Sequence, residues 1–122
     1  MQIALVGVKP VLSNVITGAL KNIQDSELFI YTMEQAEKEW SFIHDFDIIV
    51  LNLNASSTPV KTLLHTLREV SAKTKIIGIH NYSNKKLIAQ LMDSGLDAYI
   101  ELNHVNGQLS DTIKSLVNEL SD

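Results

Sequence analysis

Few side chains in this sequence could do covalent or metal chemistry, and their spacing keeps them apart. There is no cysteine, so neither a disulfide framework nor a thiolate zinc site is available. Of the four histidines, His44 and His65 lie on separate helical segments and suggest no cluster. Asp45 and Asp47 flank the start of an apolar run, where loop solvation is the expected role rather than acid-base partnership. The loop Gly7, Val8, Lys9, Pro10 follows the first apolar run but matches neither the GxGxxG fingerprint nor a P-loop. Nothing there would cradle a pyrophosphate or triphosphate. What remains is a set of polar residues, Asn52, Asn54, His80, Asn81 and His104, each just past or at the end of an apolar run. Two imidazoles near an amide raise the question of a metal, but no carboxylate or third histidine is visibly placed beside them, and a solvated or capping role is expected.

The elements that must position these residues are written in alternating apolar runs and helical stripes. Ile3 to Val6 reads as a strand buried on both faces, stopping at Gly7. A helix is predicted from about Pro10, with Leu12, Val15, Ile16, Ala19, Leu20 and Ile23 facing inward. Leu28 to Tyr31 gives a second strand, and Thr32 with Gln35 has the spacing of a capping box that opens a helix toward Trp40 and Ile43. Asp47 to Leu53 is almost unbroken Ile, Val and Leu, the pattern of a central strand. Pro59 opens a helix carrying Val60, Leu63, Leu64, Leu67 and Val70. Lys75 to Ile79 is a fourth strand, followed by a helix capped at Ser83, bearing Leu87, Ile88, Leu91 and Met92, and closed by Gly95. Ala98 to Ile100 is the fifth strand, and the last helix is predicted from about Gln108 to Leu120 on Ile113, Leu116, Val117 and Leu120.

Five strand-helix units in series need right-handed crossovers and place helices on both faces of one parallel sheet. The predicted class is α/β with the flavodoxin-like strand order 2-1-3-4-5, in which a ligand crevice lies outside the carboxyl ends of strands one and three. At 122 residues, 45% hydrophobic and 20% charged, residues 1–122 are expected to form a single domain with its own core. A net charge of −4 without a basic cluster argues against a nucleic-acid surface. No run approaches a membrane span, no leader pattern precedes the first strand, and the cysteine-free composition favours a reducing, cytoplasmic compartment.

At the level of motifs, IALVGVKP, FDIIVLNLN, KIIGIHNYSN and DSGLDAYIELN together resemble the receiver domains of bacterial two-component response regulators. The likeness is to receivers of the CheY-like family, and most of all to those that precede LuxR-type (NarL-type) DNA-binding domains. It runs over essentially the whole chain. The resemblance implies a domain that phosphorylates itself on an aspartate, using magnesium held by acidic residues after the first strand. The positions similar to that acidic pair are Gly7 and Val8, and the phosphoacceptor position falls on Asn52. The family's hydroxyl residue corresponds to His80 and its lysine to Leu102. Gly7 and Val8 have no side-chain oxygen for a hard cation, and an amide cannot form an acyl phosphate.

The expectation is therefore a degenerate, phosphorylation-independent pseudo-receiver: not an enzyme, needing no cofactor or metal, and docking to a protein or to a second copy of itself. Asn52 is expected to cap the loop before the third helix together with Asn54, a role set against that of a locked mimic of one signalling state. Tyr99 is similar to the family's switch aromatic, which implies a docking face on helix four, strand five and helix five. Two alternatives stand beside this reading. The vacated crevice could bind a small molecule through His80, Asn81, His104 and Asn52, or the chain could be the receiver portion of a longer DNA-binding regulator.

Overall fold

The computed structural model describes residues 1–9, 13–14, 16–18, 26–81 and 84–121. Five strands form one parallel sheet in the order β2-β1-β3-β4-β5: β1 Gln2–Val6, β2 Glu27–Tyr31, β3 Ile48–Asn52, β4 Lys75–His80 and β5 Ala98–Glu101. This is the predicted flavodoxin-like order. Helical backbone at residues 13–14 and 16–18 (α1) follows β1. It is joined in chain order by α2 Met33–Lys38, α3 Val60–Val70, α4 Lys85–Asp93 and α5 Val105–Ser121. None of the helices, among the described residues, is long and apolar enough to cross a membrane.

Side chains alternate across each strand, so the sheet carries an apolar layer on each face. Ile3, Leu5, Ile48, Val50, Ile77, Ile79 and Ile100 pack against Ile16 of α1 and Leu109, Ile113 and Leu116 of α5. Ala4, Val6, Ile49, Leu51 and Ile76 pack on the other face against α2, α3 and Leu91 of α4. Burial on both faces explains the unbroken apolar reading of β1, β3 and β4. The inner residues predicted at Leu12, Val15, Ala19, Leu20 and Ile23, and the helix start at Pro10, lie outside the described residues, as do the side chains of Val117 and Leu120.

Several boundaries differ from those predicted. The capping box forms as read: Gln35 N–H donates to Thr32 Oγ1 at 3.0 Å and Thr32 N–H to Gln35 Oε1 at 2.9 Å. The helix it opens nevertheless ends at Lys38, because Glu39 is extended, and residues Trp40–Asp45 form a 3₁₀ turn. Three residues per turn put Ile43 and Phe46 on one side, and both are buried. The same turn brings Phe42 against Tyr31, ring centroids 4.4 Å apart, with Trp40 stacked beyond it. Asp47 leaves the strand to accept the Gln2 N–H at 2.9 Å, rather than merely facing solvent. Leu53 begins a 3₁₀ turn instead of ending β3.

Ser83 lies outside the described residues, and the cap of α4 is Asn84, whose Oδ1 accepts from the N–H groups of Lys86 and Leu87. Met92, expected on the inner face, is exposed. A 100° rotation per residue carries it off the narrow stripe that buries Leu91. Helix α5 starts at Val105, three residues earlier than predicted, because the buried Val105 anchors its first turn.

At the amino ends of β4 and β5 lies a polar network that the sequence pattern did not announce. Arg68 of α3 donates from Nε and Nη2 to the Gly95 carbonyl (2.9 and 2.6 Å), from Nη1 to the Thr74 carbonyl (2.7 Å), and from Nη2 to Asp97 Oδ2 (2.6 Å). Asp97 Oδ2 also accepts the Ile76 N–H at 2.7 Å. Gly95 closes α4 in a Schellman arrangement, with its own N–H on the Met92 carbonyl and the Leu96 N–H on the Leu91 carbonyl. Its φ of +132° suits glycine, and a β-carbon there would stand 2.9 Å from Arg68 Cγ.

Candidate functional site

The carboxyl ends of β1, β3, β4 and β5 bring the candidate residues to one rim, but as separate ties rather than one cluster. Gly7 ends β1 with φ +70°, and its N–H donates to the Tyr31 carbonyl at 3.0 Å, joining β1 to the end of β2. Val8 turns inward and packs in the α1/α5 layer. The corner where the resemblance places acidic residues therefore holds a bare backbone turn and a core methyl pair.

Asn52 closes β3. Its Nδ2 donates to the Gly7 carbonyl at 2.9 Å, and its Oδ1 accepts the Asn54 N–H at 3.1 Å. The second contact is the expected capping of the β3–α3 loop; the first is new and spans two strands. Both ends of the amide are thus engaged, and only this orientation satisfies a carbonyl acceptor on one side and an N–H donor on the other. A carboxylate in the same place has no hydrogen for the Gly7 oxygen and would set two acceptors face to face. Asn54 itself is exposed and takes part through its backbone.

At the end of β4, the half-buried His80 receives the Asn81 N–H on Nδ1 at 2.7 Å, while its backbone carbonyl accepts the Tyr99 hydroxyl at 2.9 Å. Burial pushes the imidazole pKa below its ordinary 6.5. An acceptor Nδ1 fits the same neutral form, with the proton on Nε2. Asn81 is exposed, and Tyr99 is half-buried with its hydroxyl turned toward the rim. Past β5, Leu102 packs against the α1/α5 layer, and the exposed His104 has Nδ1 3.7 Å from Glu101 Oε2. Where the resemblance puts a cationic side chain over the rim, this chain has an apolar one half-buried against the core.

Magnesium is the ion that the resemblance implies, and the residues at this corner do not fit it. A hard cation of this size is usually held by one or two carboxylates. Gly7 and Val8 carry none, and the Asn52 oxygen already accepts a hydrogen bond. Among the described residues, no three of His, Asp and Glu come together in an arrangement that could hold a metal ion. The two histidines are engaged with different neighbours, His80 with Asn81 and Tyr99, His104 with Glu101.

The open crevice of this rim lies to one side of these residues, between the β1–α1 loop and the end of β2. It measures about 420 Å³ and is lined by Gly7, Val8 and Lys9, by Ile30 to Met33, and by Gln35 and Ala55. The side chains expected to meet a ligand, His80, Asn81, His104 and Asn52, are not on its walls. The polar residues and the cavity both belong to the carboxyl end of the sheet, but to different parts of it. The cavity opens instead toward the turn from β2 into α2, where Ile30 to Met33 and Gln35 line it.

No protein-family model and no curated protein sequence matches this chain. Solved structures do match it. A two-component response regulator from Clostridium difficile superposes with a TM-score of 0.80 at 19% identity, over 100% of this chain and 99% of that one. The non-phosphorylated receiver domain of the stress response regulator RcsB from Escherichia coli gives 0.80 at 12% identity, over 98% and 94%. The Mn²⁺-bound form of the response regulator Rcp1 gives 0.70 at 17% identity, over 93% and 91%. At these identities the likeness establishes the fold, which is that of response regulator receiver domains.

Proposed function

We propose that residues 1–122 form one receiver-like interaction domain, which works in signal transduction or transcriptional control by docking to a protein and without phosphorylation of its own rim. The observation that carries this reading is the Asn52 amide, with Nδ2 on the Gly7 carbonyl and Oδ1 on the Asn54 N–H. A phosphoacceptor at the end of the central strand has to present a free carboxylate to a cation and a phosphoryl donor. Here the corresponding group is an amide that knits β1 to the β3–α3 loop. Val8 and Leu102 support the same reading, because Val8 is buried in the core and Leu102 is half-buried against it, where a charge would otherwise stand. Fold alone would not support it, since one fold serves many functions.

The docking face we favour is α4 with β5. Of the nine residues of α4, Leu91 is the one that is buried; Leu87 and Ile88 are half-buried and Met92 is exposed. A net charge of −4 with no basic cluster favours a protein partner or a second copy over nucleic acid, and a cytoplasmic setting suits that role. The test is amide NMR with magnesium and beryllofluoride, then with magnesium and a small phosphodonor. The spectrum should stay unchanged in both. Saturable shifts centred on Asn52 would overturn the proposal.

A further inference from the structure

We infer that the crevice between the β1–α1 loop and the end of β2 is a binding site for a small organic anion with an apolar body, such as a medium-chain aliphatic or arylalkyl carboxylate. Three observations carry this. The volume of about 420 Å³ is within the range of small-molecule sites, roughly 300 to 1,000 Å³. Its walls include Ile30, Tyr31, Met33 and Ala55, and the Thr32 and Gln35 oxygens among them are taken up by each other's backbone N–H groups in the capping box. Ile30 stands 58% exposed at the mouth, an apolar branched side chain that a ligand's hydrocarbon would cover.

Gly7 keeps this space open. A β-carbon on Gly7 would stand 3.1 Å from Ala55 Cβ and 3.5 Å from Met33 Cε, so any larger residue would crowd the wall.

The charge of the site sets the ligand's polarity. Among the described residues that line it, Lys9 is the cation and none is a carboxylate. The nearby Glu37 on α2 is taken up by the backbone N–H and hydroxyl of Ser57. An amine or a divalent cation would meet no counter-charge among these lining residues, whereas a carboxylate would meet the Lys9 ammonium with its hydrocarbon laid over Ile30 and Met33. A neutral alcohol of the same length would gain the burial without the ion pair.

The test is amide NMR titration of the full chain with sodium hexanoate, octanoate and 3-phenylpropionate, with octanol and octylamine as matched controls. At least one carboxylate should give saturable shifts confined to Gly7 to Lys9, Ile30 to Met33 and Ala55. Lys9→Met should weaken that binding about two- to fivefold, as for a solvent-exposed ion pair. Ala55→Trp, at an exposed position where a large side chain leaves the core intact, should abolish it while the rest of the spectrum stays in place. The inference is overturned if no carboxylate saturates, if the Ala55→Trp protein binds as well as the parent, or if octylamine binds as tightly as octanoate.

Discussion

The two ends of the sheet spend their polar groups in opposite ways. At the amino end, Arg68 alone reaches the carbonyls of Gly95 and Thr74 and the carboxylate of Asp97, and Thr74 sets its hydroxyl between the carbonyls of Ile43 and Phe46. At the carboxyl end, single neutral bonds join neighbours: Asn52 to Gly7, Tyr99 to His80, and Asn81 to the His80 ring. Charge that is fully hydrogen-bonded and half-buried holds elements together, whereas the described rim residues are tied by amide, hydroxyl and imidazole bonds. The charged network lies at the end where the fold does not place ligands.

That contrast can be broken at three points. The largest effect should come from Arg68→Ala, which takes the guanidinium from Asp97 and leaves the Gly95 and Thr74 carbonyls without this donor. A loss of about 2–3 kcal/mol in urea unfolding is expected, with partial recovery in Arg68→Lys. A loss below about 0.5 kcal/mol would mean that the amino end is no better braced than the rim.

Next in size is Asn52→Asp. At neutral pH the carboxylate faces the Gly7 oxygen, and about 1–2 kcal/mol of stability should be lost. A protonated carboxyl can donate to that oxygen, so its folded pKa is raised and the deficit should shrink as pH falls through the carboxyl range. A deficit that stays constant with pH would show that the Gly7 contact does not matter.

The smallest effect concerns His80. Its folded pKa lies below the ordinary 6.5 because burial disfavours the charged ring, so its contribution is complete above that value and is lost as pH falls below it toward the folded pKa. Urea titrations from pH 8 to pH 5 should show a shallower decline in His80→Gln than in the parent. Equal slopes would place the titrating group elsewhere.

How far these features were legible differs by kind. Strand order follows from strand-helix units in series with right-handed crossovers, the burial of β1, β3 and β4 from unbroken apolar runs, and the Thr32–Gln35 capping box from a spacing of three residues. The early end of α2 at Glu39 was not legible, because tertiary packing of Phe42, Ile43 and Phe46 overrode a continuous helical reading. Residues of the rim could be named one by one from Gly7 to Leu102, since each sits at the end of a run. Their partners could not: the Asn52 contact with Gly7 and the reach of Arg68 to Gly95 cross 45 and 27 positions of chain, a distance that no local pattern encodes.

Helix α4 shows where such long ties lead. Its last turn is clamped, since Gly95 terminates it and hands its carbonyl to Arg68, while its first turn is held by the exposed Asn84 cap. The two ends of one helix are thus held by bonds of different strength: a charged guanidinium at the Gly95 carbonyl, and a neutral amide oxygen shared between two N–H groups at Asn84.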